Sequence, residues 1–162
     1  MIVERGTLEE FIEDITPFFY GKRLTYVDVG AFKGVVFNAL LKSKLTIRES
    51  HLFEVNPKTY ENLKLSLDAE KVKNVHIYNM ALSDSIGILN FKDNDSMTKA
   101  ISNNDVEISD VFSATTTTLD SLSKTLTEEH ISILKVDVEG HEKEVFAGAK
   151  NILANQQVDL IY

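Results

Sequence analysis

The sequence predicts an α/β fold with a doubly wound, mostly parallel sheet, and three observations predict it. Short apolar runs lacking strict polar alternation take turns with helical patterns along the chain, as strands buried on both faces do. The run Leu24–Val29 passes through Gly30 and Gly34 directly into Val35-Val36-Phe37-Asn38-Ala39-Leu40-Leu41, a strand, a glycine turn and a helix. Two further runs end on acids, Glu54 and Asp137, as the first ends on Asp28. The expected strand order is 3-2-1-4-5, with the first strand central and right-handed crossovers.

The elements follow in order. Thr7-Leu8-Glu9-Glu10 is a capping box, and Leu8, Phe11, Ile12, Ile15 and Phe19 then recur at helical spacing until Gly21. This N-terminal helix, within residues 1–22, is expected to pack on the sheet edge rather than across a ligand pocket. The second strand is His51–Val55, followed by Asn56 as a helix cap and Pro57 as a first helical residue. Tyr60, Leu63 and Leu67 mark the buried face of that helix. Val75–Asn79 is the third strand, in which His76 reads as structural, and Met80–Asp84 follows it.

Residues 85–118 interrupt the alternation and read as an insertion between the third and fourth strands. Gly87–Phe91 looks like a short strand and Ala114–Thr118 like its partner. Asp93–Asp110 between them is polar and reads as an excursion or lid. Leu119-Asp120-Ser121-Leu122 opens a short helix, and Ile131–Val136 is the fourth strand. Glu144, Val145, Phe146, Ala149, Ile152 and Leu153 describe one helix, and Val158–Tyr162 is a fifth strand.

At 162 residues this is a single domain with enough chain to bury a core. A formal charge of −8 opposes a phosphate backbone, so nucleic acid is not an expected partner. The absence of cysteine removes disulfides, thiolate metal sites and a thiol nucleophile, and fits a reducing cytoplasm. No apolar run approaches the roughly 20 residues of a membrane span, and a signal-peptide h-region is lacking.

The chemistry is expected at the carboxyl ends of the strands, where the sheet order reverses. A dinucleotide fingerprint, Gly-x-Gly-x-x-Gly, fails here, because Phe32 stands at the second glycine and obstructs a pyrophosphate. Asp28 at the strand end suits a sulfonium or ammonium group, which points to S-adenosylmethionine; it can equally cap the turn. Glu54, 20 residues after Gly34, can accept hydrogen bonds from both ribose hydroxyls, or be a solvated strand end. Ala81 and Leu82 suit an adenine slot, with Ser83 or Asp84 near its amine. Asp137 and Glu139 are expected on one side of an extended segment, close to Asp28 and paired so as to favour a general base. His141 adds a titratable group, but no spacing demands a metal.

In that order, Val27-Asp28-Val29-Gly30-Ala31-Phe32-Lys33-Gly34, Phe53-Glu54-Val55-Asn56-Pro57, Ala81-Leu82-Ser83-Asp84, Thr118-Leu119-Asp120 and Lys135-Val136-Asp137-Val138-Glu139-Gly140-His141-Glu142 resemble the FkbM family. That resemblance implies a Rossmann-like class I methyltransferase that uses S-adenosylmethionine, most often to methylate a hydroxyl of a sugar or small natural product. It implies cofactor contacts from Asp28, Gly30, Gly34 and Glu54, with Ala31, Val55, Ala81, Leu82 and Asp137 beside them. The implied active site surrounds Asp137 and Glu139, with Glu139 as the base toward the acceptor hydroxyl. A non-catalytic cofactor- or nucleotide-binding module is the alternative. An NAD oxidoreductase and a nucleic-acid N-methyltransferase fit the motifs and the charge less well.

The sequence departs from the family twice: Phe32 stands where Asn is usual, and the closing antiparallel strands are absent after the fifth strand. The apolar edge of that strand is therefore expected to be covered, by more of a longer protein or by another copy in a homo-oligomer.

Overall fold

The fold grows from β1 (Arg23–Val29), in which every residue after Arg23 is buried. A computed structural model of the chain describes residues 7–94, 97–101, 110–126 and 130–162. β1 pairs in parallel with β2 (Thr46–Phe53) on one side and with β8 (Ile131–Val136) on the other. β3 (Val75–Tyr78) adds outside β2 and β9 (Val158–Ile161) outside β8, both parallel. The order β3-β2-β1-β8-β9 is the doubly wound arrangement the sequence predicts.

Alternation along β1 divides the core between two helical layers. Leu24 and Tyr26 face α1 (Leu8–Phe19), α2 (Val35–Lys42) and α3 (Pro57–Ala69), burying Ile15, Phe19, Phe37, Leu40, Leu63 and Leu67. Val27 and Val29 face α4 (Leu119–Leu126), α5 (Glu142–Ala147) and α6 (Lys150–Ala154), burying Leu119, Leu126, Val145, Ala149 and Ile152. The caps form as read. Thr7 accepts from the Glu10 N–H at 3.2 Å, and Asn56 accepts from Lys58 and Thr59 at 3.0 and 3.2 Å. α1 lies beside α2, and Phe11 stacks on Tyr162 at the end of β9 with ring centroids 3.9 Å apart.

Several elements differ from the sequence reading, three of them by more than a few residues at an end. β2 begins at Thr46 rather than His51, because its half-exposed first residues pair with β1 without supplying an apolar signal. The helix expected over Glu144–Leu153 is two, α5 and α6, separated at Gly148. That glycine lies against the carbonyl of Ser83, where a Cβ would sit 2.0 Å from the oxygen. Part of the polar segment Asp93–Asp110 is also a strand, β6 (Met97–Ile101), while residues 95–96 and 102–109 of it lie outside the described residues.

A second sheet gathers the rest in the order β4-β7-β5-β6. β5 (Gly87–Asn94) runs antiparallel to both β6 and β7 (Val111–Thr117), and β7 is parallel to β4 (Ala81–Leu82). The pairing of Gly87–Phe91 with Ala114 and its neighbours is as expected, with Leu89 opposite Ala114. Among the described residues, no helix is long and apolar enough to cross a membrane.

Candidate functional site

One open cavity lies at the carboxyl ends of β1, β2 and β8, roofed by the second sheet. Its lining runs from Val29, Gly30 and Phe32 through Phe53, Glu54, Val55, Asn56 and Thr59 to Met80, Ala81 and Leu82. Phe91, Asp93 and Thr98 face these, and Asp137, Val138, Glu139 and His141 complete it.

The β1 turn is held by backbone geometry. Gly30 and Gly34 take left-handed conformations, φ +83° and +71°, and Gly30 and Ala31 donate to the Phe53 carbonyl at 3.0 and 2.9 Å. Gly30 also abuts the β8 loop so closely that a Cβ would fall 2.0 Å from the Asp137 carbonyl oxygen. Phe32 is left-handed as well, at φ +50°, and its N–H donates to Glu54 Oε2 at 2.8 Å. Glu54 Oε1 accepts from the Asn56 N–H at 2.8 Å. Glu54 is thus locked by two backbone donors at the cavity wall, and burial pushes its carboxyl up against the pull of those donors.

Asp28 is not in the cavity. It is 1% exposed and faces the α1–α2–α3 layer, where Lys135 Nζ donates to Oδ1 at 3.0 Å and Tyr26 Oη to Oδ2 at 2.8 Å. Burial pushes its carboxyl up, and the Lys135 ammonium opposes that. The same ammonium donates to the Gly30 carbonyl at 2.9 Å and stands 3.7 Å from Asp137 Oδ2. Asp28 and Asp137 therefore meet through Lys135, a motif residue to which the sequence reading gave no role. Ala31 and Gly34 shape the turn behind the cavity, and Gly34 lies against Leu63 of α3.

Asp137 and Glu139 both line the cavity, but not by extended alternation. The chain turns sharply at Glu139 and Gly140, φ +51° and +97°, a turn fastened by Glu142 Oε1, which accepts from Val138 and Gly140 at 3.2 Å. His141 reaches across to Ser83 Oγ at 3.0 Å. Asp84 stays out of the lining, its carboxylate accepting from the Ser83 and Ser85 hydroxyls. Asp120 accepts from the Asn151 and Ile152 N–H groups at 3.0 and 2.9 Å, joining α4 to α6 away from the cavity.

Thr59, Phe91, Asp93 and Thr98 are among the lining residues to which sequence reasoning gave no place in the site. A signal for Asp93 was the alternation Phe91-Lys92-Asp93, which continues a strand that the sequence reading ended at Phe91. The donor set has a plain chemistry. Glu54, Asp93, Asp137 and Glu139 are carboxylates, and neither lysine nor arginine lines the cavity among the described residues. Such a lining suits ribose hydroxyls and a sulfonium or ammonium cation, and repels a pyrophosphate. No cluster of metal-ligating side chains is present among the described residues.

Comparison with solved structures agrees on the fold. A methyltransferase FkbM from Methylobacillus flagellatus KT superposes with a TM-score of 0.62 at 14% identity, over 86% of this chain and 32% of that one. The chain thus spans about a third of that protein's length. An rRNA methylase from Streptococcus thermophilus gives a TM-score of 0.54 at 11% identity, covering all of this chain and 74% of that one. A Streptococcus mutans protein described as a methyltransferase, solved in complex with SAH, gives 0.51 at 13% identity, covering 99% and 73%. No curated protein sequence matches the chain. The family model of the methyltransferase FkbM domain matches residues 28–162, which takes in the cavity wall from Val29 to His141. The chain belongs to the FkbM methyltransferase family.

Proposed function

We propose that the chain is an S-adenosylmethionine-dependent methyltransferase directed at a hydroxyl of a sugar or small natural product. The observation that carries this reading is Glu54, fixed by two backbone N–H groups beside the glycine turn in a cavity that neither lysine nor arginine lines among the described residues. When bound, S-adenosylmethionine supplies an electrophilic methyl group on a sulfonium. Glu54 holds the ribose hydroxyls through its remaining lone pairs. Gly30 and Asp137 line the methionine portion, and Val55, Ala81 and Leu82 pack the adenine. Glu139, presented outward by its left-handed turn, would take the proton from the acceptor hydroxyl. Positioning of the two reactants supplies much of the acceleration.

Calorimetric titration of the chain with S-adenosylhomocysteine and, separately, with NAD tests the reading. Binding of the first and not the second is expected. NAD binding alone would overturn it, and binding of S-adenosylhomocysteine without turnover on any hydroxylated acceptor would leave a binding module.

A further inference from the structure

The cavity has a wall that the strand-end motifs do not provide. β5 and β6 present Phe91, Asp93 and Thr98 to it. Phe91 and Asp93 stand two apart on one strand and so share a face. Phe91, 4% exposed, closes an apolar slot with Met80, Ala81 and Leu82. Asp93 extends that face with a half-buried carboxylate that has no hydrogen-bond or ion-pair partner among the described residues. Its own N–H is spent on the Asp110 carbonyl at 2.8 Å.

The register locates Asp93 relative to Glu54. Thr98 lies directly opposite Asp93 in the antiparallel pair, and its Oγ1 accepts from Asn56 Nδ2 at 3.3 Å. Asn56 in turn gives its N–H to Glu54. An acceptor with no partner among the described residues thus shares the lining with these apolar side chains, and Thr98 and Asn56 stand between it and Glu54. A flat aromatic base with an exocyclic amine matches that arrangement: its faces take the apolar walls and its N–H takes the carboxylate. Asp84, the acid that follows the third strand, does not line the cavity.

We propose that Asp93 accepts a hydrogen bond from the 6-amino group of the cofactor's adenine and so selects the base; this rests on reading the cavity as an S-adenosylmethionine site. A carboxylate is an acceptor only, so a 6-oxo base sets oxygen against oxygen at that edge. Calorimetric titration of the wild-type chain with S-adenosylhomocysteine and with S-inosylhomocysteine, its 6-oxo analogue, reads this directly. The adenine compound is expected to bind roughly ten- to a hundredfold tighter, the range of a hydrogen bond to a charged group. Asp93→Asn, nearly isosteric and able to donate to the oxo group, should bring the two affinities within about threefold. Glu54→Ala should weaken both alike, because each compound carries the same ribose. Equal wild-type affinities, or discrimination that survives in Asp93→Asn, would overturn the assignment while leaving the cofactor reading intact. Failure of the wild type to bind either compound would overturn both.

Discussion

Replacing Lys135 by methionine tests the buried pair beneath the site. The substitution keeps the side chain's apolar stem and removes the ammonium that holds Asp28 at 3.0 Å and the Gly30 carbonyl at 2.9 Å. Asp28, 1% exposed, then keeps only Tyr26 as a hydrogen-bond partner among the described residues. Removing one member of a buried pair costs about 3–5 kcal/mol. The lost charge can be relieved by proton uptake, and that bounds the penalty. Protonating a carboxyl of ordinary pKa about 3.9 at about pH 7 costs roughly 4 kcal/mol, and at about pH 5 roughly 1.5.

The sign follows from burial, which raises the folded-state pKa of Asp28 above its unfolded value. Such a group stabilises below the unfolded pKa, and that contribution is lost as pH rises through the folded pKa. Lys135→Met should therefore be far weaker than wild type at neutral pH and recover most of the difference on acidification, read as urea midpoints across that range. Asp28→Asn combined with Lys135→Met should erase the pH dependence and restore part of the stability at pH 7. A loss under about 1 kcal/mol at neutral pH, or the same loss at both pH values, would refute an ionised pair as the fastening between β1 and β8.

Further outcomes are expected elsewhere. Glu54→Ala should weaken S-adenosylhomocysteine binding by about 1–3 kcal/mol in calorimetry, since the buried ribose hydroxyls lose their acceptor. Glu139→Gln should leave that affinity unchanged yet lower turnover on an identified acceptor by roughly 10²–10⁴, whereas Asp137→Asn should weaken cofactor binding as well. Asn56→Ala removes the acceptor for Lys58 and Thr59 and should cost about 1 kcal/mol, visible in thermal melts. Gly30→Ala must displace the Asp137 carbonyl and should cost several kcal/mol, about 3 or more, while Gly21→Ala, left-handed but with no atom near, should cost about 1–2.

The parallel sheet was legible because its strands are buried on both faces and announce themselves as apolar runs. The glycine turn, the Asn56-Pro57 cap and the acids at the strand ends were legible because each reflects a local requirement. What escaped was set by tertiary contact. The helix reading ran through Gly148, where α5 ends and where Ser83 leaves no room for a Cβ. Asp28 looked like a ligand contact, but its side chain turns into the core toward Lys135, a partner 107 positions away. Asp93 and Thr98 looked like loop residues, since a two-stranded hairpin of polar residues carries little hydrophobic period.

Ser83 ties the second sheet to both ends of α5: its N–H bonds the Thr117 carbonyl at 2.8 Å, Gly148 packs against its carbonyl, and its hydroxyl meets His141. Beyond Ser83, the Asn56–Thr98 bond fastens the β5–β6 hairpin beside the cavity. Inheritance can therefore act on the two walls at different speeds. Changes at Gly30, Lys135 or Gly148 strike close contacts between core elements and cost stability. Changes along the hairpin alter the shape and polarity of the roof while the floor stays in place. A lineage can thus change what the roof admits without rebuilding the floor beneath it.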